Sequence, residues 1–434
     1  MHILKIEILN GKRLASPTDN AQDMSTHWID FERIEIQDGM IKSINQDNPA
    51  FKADISIDGT GCYVLPGLVD LNVSLREPGY TAKGSIYSET KAAAAGGVTT
   101  LCCTPETKPI NDSKAVSKLI EELAQEAANC EVLPLGALTQ GLEGEQLSEY
   151  AALKNAHCIA LSNGYHPLKN LAISKRCFEY AKTHNLSVFI NAIEASLHQG
   201  VMHEDEISTT IGLQGIPDLA ETVAVSQLIK LAEATGVHLH LSQLSTADAV
   251  AQVKAAKERG LRITADVAIQ NLLYTDEKVA NFSSVFHCMP PLRSEADRLA
   301  LLEGVKTRVI SAITSAHQPH EAAAKQMPFA ETEAGMSSIE FLLPMAMKLE
   351  REQDLLLTDF ISAMTQGAAE VLNIAIPQIA VGQKANLCIF NPSTSYVLER
   401  ENIQSTGKNT PLIGQTLTGC VKTTIFEGRV SYSS

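Results

Sequence analysis

Residues 64–74 read VLPGLVDLNVS, an apolar run that predicts one strand of a buried parallel sheet. Side chains alternate along a strand, so Asn72 and Ser74 lie on one side of it and Val73 on the other. The two polar residues end the run, just before a charged turn that begins near Arg76. In barrels of alternating strands and helices, the carboxyl ends of the strands hold the chemistry. The stretch therefore predicts a strand whose last residues face a functional site.

Seven further runs of this kind follow, separated by segments with a helical pattern. They are VTTLCCT (98–104), EVLPLGAL (131–138), CIALSN (158–163), SVFINAI (187–193), VHLHLSQ (237–243), RITADVAI (262–269) and RVISAITSAH (308–317). Eight strand-and-helix units predict an α/β fold, a TIM (β/α)8 barrel over residues 64–375. In the helical segment STADAVAQVKAAKERG, Ser245 is expected to cap the N-terminus, and Gly260 is expected at the C-terminal end.

The two ends of the chain have a different pattern. Residues 1–63 and 376–434 contain short alternating runs such as RIEIQDGMIKSI and KTTIFEGRV, separated by Gly, Asn and Asp. Such runs are typical of hairpins. Because the two segments flank the barrel, we expect them to form one small β-sandwich beside it.

The overall composition narrows the class of protein. The 434 residues carry a net charge of −15, which argues against binding to nucleic acid or to an anionic membrane. The start, MHILKIEILNGK, lacks the apolar core of a signal peptide, so we expect a cytoplasmic protein. Nine cysteines, an odd number without a C-x-x-C pair, favour buried reduced thiols.

Many separated motifs occur in a fixed order along the chain. They include PGLVDLNVSLREPG (66–79), KAAAAGGVTT (91–100), GIPDLAETVAV (215–225), HLSQLSTADAV (240–250), PPLRSEADRLALLEG (290–304) and GKNTPLIGQTLTGCV (407–421). From about residue 60 onward, this order resembles the dihydroorotases of the amidohydrolase superfamily. The resemblance implies a zinc site at the C-terminal end of the barrel. Histidines and acidic residues build that site in the family, and it activates water to open or close a cyclic amide.

The resemblance also implies that the metal and base positions differ in this chain. Those positions carry Asn72, Ser74, Asn163, Ala192, Gln243 and Ala316. The family has histidine ligands at the first two, an acidic ligand at the third, histidines at the fourth and fifth, and the general-base aspartate at the last. Amide, hydroxyl and methyl groups are not zinc ligands. We therefore expect no metal, no cofactor and no hydrolysis, which is the description of a pseudoenzyme.

The positions that contact substrate in the family are changed in part. Arg76 matches the arginine that binds the substrate's carboxylate, whereas Glu106 and Met289 stand where the family has asparagines. A second carboxylate about 4 Å from the substrate's would repel it by several kcal/mol at an effective dielectric near 20. We therefore predict that Glu106 takes Arg76 as its own partner.

Two pairs of histidines could either bind a metal or have structural roles. His317 and His320 remain beside Ala316, and His238 and His240 share one face of a strand. Each pair has a spacing that could bind a metal, but hydrogen-bonded histidines are common at a barrel rim, so we favour structural roles. Other acidic residues, such as Asp266, are better explained as hydrogen-bonding groups than as acid catalysts.

Three functions follow from these observations. The first is an inactive dihydroorotase-like chain that serves as a structural subunit of aspartate carbamoyltransferase in pyrimidine synthesis. The resemblance alone supplies this partner, because some bacteria pair the transcarbamoylase with dihydroorotase-like subunits that hold it in its active oligomer. The second is a hydrolase of cyclic amides with an altered, metal-independent mechanism. The third is a sensor whose pocket binds a small metabolite. We favour the first, as part of a homo-oligomer within a hetero-oligomer.

Overall fold

The computed structural model of the protein describes residues 4–15, 27–46 and 48–434. The predicted absence of a signal segment, and part of the predicted N-terminal segment 1–63, therefore fall partly outside the described residues.

The described residues form twenty strands and twelve α-helices, which alternate only in the barrel. The strands are β1 (Lys5–Leu9), β2 (Lys12–Leu14), β3 (Trp28–Asp30), β4 (Arg33–Gln37), β5 (Met40–Ile44), β6 (Ile55–Asp58), β7 (Tyr63–Pro66), β8 (Leu68–Val73), β9 (Val98–Cys103), β10 (Glu131–Ala137), β11 (Ala160–Ser162), β12 (Ser187–Asn191), β13 (Met202–His203), β14 (Gly215–Ile216), β15 (Leu239–Ser242), β16 (Ile263–Ala268), β17 (Ala312–Thr314), β18 (Leu387–Val397), β19 (Thr416–Phe426) and β20 (Arg429–Ser433). The α-helices are α1 (Ile86–Ala95), α2 (Lys114–Ala127), α3 (Tyr150–Lys154), α4 (Leu171–Thr183), α5 (Glu206–Ile211), α6 (Leu219–Thr235), α7 (Ala247–Glu258), α8 (Ile269–Leu273), α9 (Glu295–Lys306), α10 (Leu342–Gln353), α11 (Leu357–Ser362) and α12 (Ala368–Leu372).

Eight parallel strands form the predicted barrel. Their order in the sheet is β8, β9, β10, β11, β12, β15, β16 and β17, and each pairs in parallel with its neighbours. Every residue of β8 and β9 is buried, because helices cover the outer face and packed side chains fill the interior. This burial on both faces explains why the strands read as apolar runs. The prediction of a TIM barrel is confirmed.

The barrel closes between its last and first strands around the buried carboxylate of Asp70. This carboxylate accepts hydrogen bonds from the Thr314 hydroxyl and from the Ser315 backbone N–H, and so joins β8 to the end of β17. The Ser74 N–H also donates to the His317 carbonyl, at 2.9 Å. A charged group can lie in the interior only when its oxygens are bonded in this way.

Local capping signals set the ends of the helices. α1 begins with a reciprocal capping box between Ser85 and Ser88. It ends at Gly96, and Gly97 follows at φ +83°, a conformation that glycine adopts readily. The predicted cap of α7 was one residue early: Thr246, not Ser245, accepts the Ala249 N–H.

The two ends of the chain form the predicted β-sandwich. β5, β4, β1 and β6 make a four-stranded sheet, and β20, β19, β18, β7, β2 and β3 make a six-stranded sheet. β7 from the N-terminal side pairs with β18 from the C-terminal side, with Leu65 opposite Cys388. A shared core that includes Ile6, Ile34, Val64 and Ile389 lies between the sheets. The fold of this module is confirmed, and the limits at residues 63 and 376 stay predictions.

Two further expectations concern cysteines and membranes. All nine cysteines lie within the described residues, none is paired, and eight of them are buried. Within the described ranges, no helix combines the length and the apolar character needed to cross a membrane.

Candidate functional site

The carboxyl ends of the barrel strands open at one end of the barrel, which we call the mouth. The predicted site positions next to those ends are Asn72, Ser74, Glu106, Asn163, Ala192, Gln243, Ala316 and His317. The structure thus gathers side chains from six strand ends at the mouth, as the strand order requires. Met289 and His320 come from loops after α8 and β17.

The first strand brings Asn72 and Ser74 to the mouth, both only 6% exposed. The Ser74 hydroxyl lies 3.5 Å from that of Thr104. The Asn72 amide oxygen Oδ1 is buried and has no hydrogen-bond partner among the described residues. Buried polar atoms are normally bonded, so an unpartnered one at a strand end indicates a place for water or a ligand.

Asn163, after the fourth barrel strand, has a structural role. Its Oδ1 accepts from the Thr139 hydroxyl at 2.7 Å, and its Nδ2 donates to the carbonyls of Leu142 and His166. These bonds fix the loop after β11. Both polar groups of the Asn163 side chain are thus bonded to the protein itself and are not directed at a metal site.

Gln243, after the sixth barrel strand, joins residues that the sequence analysis did not single out. Its Oε1 accepts from the Tyr165 hydroxyl at 2.6 Å and from Asn191 Nδ2 at 3.0 Å. Its backbone N–H donates to Asp266 at 2.7 Å, which confirms Asp266 as a hydrogen-bonding group of the rim. The Gln243 Nε2 group is buried and has no partner among the described residues. The sequence feature that could have revealed this contact is the tyrosine that directly follows Asn163 and Gly164.

Three of the predicted positions contribute no polar side chain. Ala192 and Ala316 are buried, and Ala316 has φ +46°. Met289 is partly buried in the loop that leads to Arg293. None of the three can donate a side-chain hydrogen bond to a ligand.

Two buried histidines form pairs with carboxylates. His317 Nε2 lies 2.8 Å from Glu89 Oε2, and His317 Nδ1 accepts the Ser338 N–H at 3.1 Å. His240 Nε2 lies 2.8 Å from Asp266 Oδ2, and its Nδ1 lies 2.9 Å from the Thr264 hydroxyl. Both ring nitrogens of each histidine are thus used inside the protein.

The electrostatics of these histidines agree with structural roles. Burial tends to raise the pKa of Glu89, but hydrogen bonds from His317, Ser405 and Ser88 lower it overall. His238 lies at the other end of its strand and bonds Ser187 and Thr264. Burial and the nearby His240 lower the pKa of His238 to about 4, so it is neutral at physiological pH.

The predicted ion pair between Arg76 and Glu106 is wrong. Arg76 Nε donates to the Pro319 carbonyl at 3.0 Å, and Nη2 lies 3.1 Å from His320 Nε2. The carbonyl and the ring hold the guanidinium away from the carboxylate, so no ion pair within 4.0 Å forms between them. Burial, and the cations Arg76, Lys325 and Lys83, lower the pKa of His320 to about 2.

Glu106 is fixed by a neighbouring loop instead. Its Oε1 accepts the Tyr165 N–H at 3.1 Å, and its Oε2 is buried without a partner among the described residues. The carboxyl group packs on Gly164, where a Cβ atom would lie 2.4 Å from Glu106 Cδ. Burial raises the pKa of Glu106, and the Tyr165 N–H, His166, Arg76 and the nearby Thr104 hydroxyl oppose that rise.

The chain is similar to known proteins over nearly its whole length. Residues 61–249 match the family model described as Dihydro-orotase-like. A "Dihydroorotase-like protein" of Pseudomonas aeruginosa is 43% identical over 98% of this chain and 99% of its own length. The chain belongs to the dihydroorotase-like amidohydrolases.

Two further matches extend this result. A "Dihydroorotase" of Thermoanaerobacter sp. is 39% identical over 92% of this chain and 93% of its own length. The solved structure of an L-hydantoinase (dihydropyrimidinase) from Arthrobacter aurescens has a TM-score of 0.85 at 19% identity, and covers 98% of this chain and 95% of that one. At that identity the likeness concerns the fold alone.

The comparisons contradict the prediction that this chain is not an enzyme. Relatives that align over nearly the whole chain are named dihydroorotase. The prediction was drawn from the mouth positions alone, although histidine and carboxylate groups also gather elsewhere in the molecule. The comparisons support membership of this family and do not support loss of activity.

Zinc is the metal that membership of this family suggests for the mouth. Asn72, Ser74 and Gln243 offer amide and hydroxyl groups there, and these are not zinc ligands. His240 and His317, the imidazoles next to them, are committed to Asp266 and Glu89. The residues of the mouth therefore do not fit a zinc ion.

Away from the mouth, one cluster among the described residues has the spacing of a metal site. Ligand atoms of His203, Asp218 and Asp297 lie within 4.8 Å of one another. Arg293 already occupies this cluster, because its Nη1 lies 3.0 Å from His203 Nδ1 and 3.1 Å from Asp218 Oδ1. A guanidinium there provides the positive charge that a metal ion would otherwise supply.

Proposed function

We propose that this chain is a dihydroorotase-like subunit that binds the catalytic chain of aspartate carbamoyltransferase, in pyrimidine synthesis in the cytoplasm. The observation that carries the proposal is that the interior of the barrel is well bonded while its mouth has lost the family's zinc ligands. Its buried pairs and its closure at Asp70 are complete, whereas the side chains of its mouth do not fit the family's zinc ion. We therefore assign a role to the outer surface of the barrel. The proposal does not depend on whether the chain itself turns over a substrate.

The choice of partner follows from the family resemblance. In bacteria that pair the transcarbamoylase with dihydroorotase-like subunits, these subunits hold it in its active oligomer. A barrel with a buried, well-bonded core offers the fixed surface that such an assembly needs. Closed symmetric assemblies are the usual arrangement of such chains.

Co-purification tests the proposal. The untagged chain is isolated from its native cell, and the fractions are scored for aspartate carbamoyltransferase protein and activity. We expect the two chains to elute together, and we expect the transcarbamoylase to lose activity or its oligomeric state when this chain is deleted. A chain that elutes alone, beside a transcarbamoylase that is fully active without it, contradicts the proposal.

A second candidate is a hydrolase of cyclic amides that acts without zinc at the mouth. The similarity to relatives named dihydroorotase favours it, and so does Arg76, which the structure holds at the mouth beside Pro319. The test is turnover of dihydroorotate and of carbamoyl-aspartate by the purified chain, with chelator and with added zinc. Turnover that persists with chelator supports this candidate, and its absence under both conditions contradicts it.

A further inference from the structure

Three buried polar atoms at the mouth have no hydrogen-bond partner among the described residues. They are the acceptors Asn72 Oδ1 and Glu106 Oε2 and the donor Gln243 Nε2. They come from the ends of the first, second and sixth barrel strands, so they lie at the same end of the barrel. Because an unsatisfied buried polar group is unfavourable, atoms in this position require a ligand or ordered water.

The side chains that carry these atoms are held in place. Gln243 is fixed through its Oε1 by Tyr165 and Asn191, which leaves Nε2 as its free end. Glu106 is fixed through its Oε1 by the Tyr165 N–H and by contact with Gly164, which leaves Oε2 as its free end. Groups held in this way bind a ligand without first losing conformational freedom.

The mouth also holds two opposite charges that do not neutralise each other. Arg76 uses Nε and Nη2 for Pro319 and His320, and Nη1 has no hydrogen-bond partner among the described residues. The Glu106 carboxylate contacts the Tyr165 N–H, and no ion pair joins it to Arg76. Burial lowers the pKa of Arg76, and the nearby Glu106 carboxylate opposes this shift without forming an ion pair. A ligand that complements both charges carries one negative and one positive group.

We propose that the mouth binds a small α-amino acid as a zwitterion. Its ammonium group would contact Glu106 and Asn72, and its carboxylate would contact Arg76 and Gln243. This differs from the neutral amide nitrogen that the family's reaction involves, because a carboxylate at position 106 recognises a positive charge. The inference rests on the groups of the mouth and not on the proposed partner.

Calorimetry with the isolated full-length chain tests the inference through three probes that share a four-carbon diacid skeleton. L-Aspartate carries an ammonium group, N-carbamoyl-L-aspartate carries a neutral ureido group in its place, and succinate carries no nitrogen. We expect L-aspartate to bind at least about 10-fold more tightly than the other two, as a charge-assisted hydrogen bond predicts. Equal affinity for the three probes, or no heat with any of them, overturns the inference; in the latter case water alone fills the site.

Variants separate the role of the carboxylate from effects on folding. Glu106→Gln keeps an oxygen for the Tyr165 N–H but removes the charge, so we expect it to abolish the preference for L-aspartate. Glu126→Gln removes an exposed carboxylate on α2 and should leave the preference unchanged. An unchanged preference in Glu106→Gln contradicts the assignment.

The pH dependence gives a second readout for the same carboxylate. Burial raises the pKa of Glu106, and a bound ammonium favours its ionised form. Affinity for L-aspartate should therefore fall as the pH is lowered and the carboxylate takes up a proton, and the Glu106→Gln variant should show no such change. Affinity that is independent of pH in the unmodified chain contradicts the inference.

Discussion

At the scale of single residues, Gly164 determines where the carboxyl group of Glu106 lies. Its φ is +55°, and a Cβ atom would lie 2.4 Å from Glu106 Cδ. We predict that Gly164→Ala lowers the free energy of unfolding by about 2–4 kcal/mol, from left-handed strain plus the clash. Urea denaturation measures this. The control, Gly212→Ala, has φ +73° and no atom within 4 Å, so it isolates the strain, about 1 kcal/mol. Equal losses in the two variants would show that Glu106 moves freely.

The buried carboxyl group of Asp276 makes the stability of the protein depend on pH. It is 3% exposed, and its Oδ2 has no hydrogen-bond partner among the described residues. Burial, reinforced by the neighbouring Asp205 carboxylate, raises its pKa from 3.8 to about 7. A carboxyl group whose pKa rises on folding contributes stability below its unfolded pKa, and this contribution is lost as the pH rises through the folded pKa.

The free energy of unfolding should therefore fall between about pH 5 and about pH 8, by on the order of 2 kcal/mol. In Asp276→Asn we expect most of this fall to disappear, because the amide does not ionise. Asp30→Asn, at an exposed aspartate of β3, should keep the slope of the unmodified chain. Denaturant titrations at several pH values provide the measurement, and parallel slopes in the unmodified chain and Asp276→Asn would refute the assignment.

Residue types at the mouth were readable from the sequence, but their partners were not. The strand pattern placed Asn72 and Gln243 at the mouth because alternation is a local property. The partner of Arg76 was predicted from charge alone, whereas the structure gives it the Pro319 carbonyl and His320. Those contacts join residues more than 240 positions apart, and no local rule ranks them above an ion pair.

At the scale of elements, Asp70 links the first and last strands of the barrel. Its two oxygens accept from the Thr314 hydroxyl and from the N–H groups of Asn72 and Ser315. Asp70→Asn keeps the shape but turns one acceptor into a donor that faces other donors. We predict a loss of about 2–4 kcal/mol in the free energy of unfolding, and faster amide hydrogen exchange at β8 and β17 than at β11.

The control for this prediction is Asp354→Asn, an exposed aspartate at φ +53°, where asparagine is well tolerated. It should change neither the stability nor the exchange pattern. If the Asp70→Asn variant loses stability with equal exchange in all barrel strands, the carboxylate does not act as a local closure.

Elements were predictable where burial imposes a simple pattern. All eight barrel strands lie within the predicted apolar runs, because both faces of each strand are buried. The cap of α7 was misplaced by one residue for a tertiary reason. Glu221 on α6 accepts from the hydroxyls of both Ser245 and Thr246 and from both of their N–H groups, and this places Thr246 directly before the first helical residue, where its hydroxyl also accepts the Ala249 N–H.

At the scale of the whole molecule, the N- and C-terminal segments share one core although most of the chain lies between them. Ile389 of β18 is fully buried in a cluster that also contains Ile6 of β1, Ile34 of β4 and Val64 of β7. The sequence could only suggest this union from the flanking positions of the two segments. The six-stranded sheet joins the two segments directly, because β7, β2 and β3 come from the N-terminal side, β18, β19 and β20 come from the C-terminal side, and β7 pairs with β18.

Ile389→Ala tests whether the two segments are stabilised together. We expect a loss of about 2–5 kcal/mol, the usual cost of removing a buried isoleucine side chain. Because the core is shared, hydrogen exchange should accelerate in β1 and β4 as well as in β18, while β10 to β12 in the barrel keep their protection. Val397→Ala changes a side chain that is 48% exposed on the same strand, and it should leave all of these amides unchanged. If exchange increases only around β18, the N-terminal sheet is stable without the C-terminal segment, and the two ends do not form one cooperative unit.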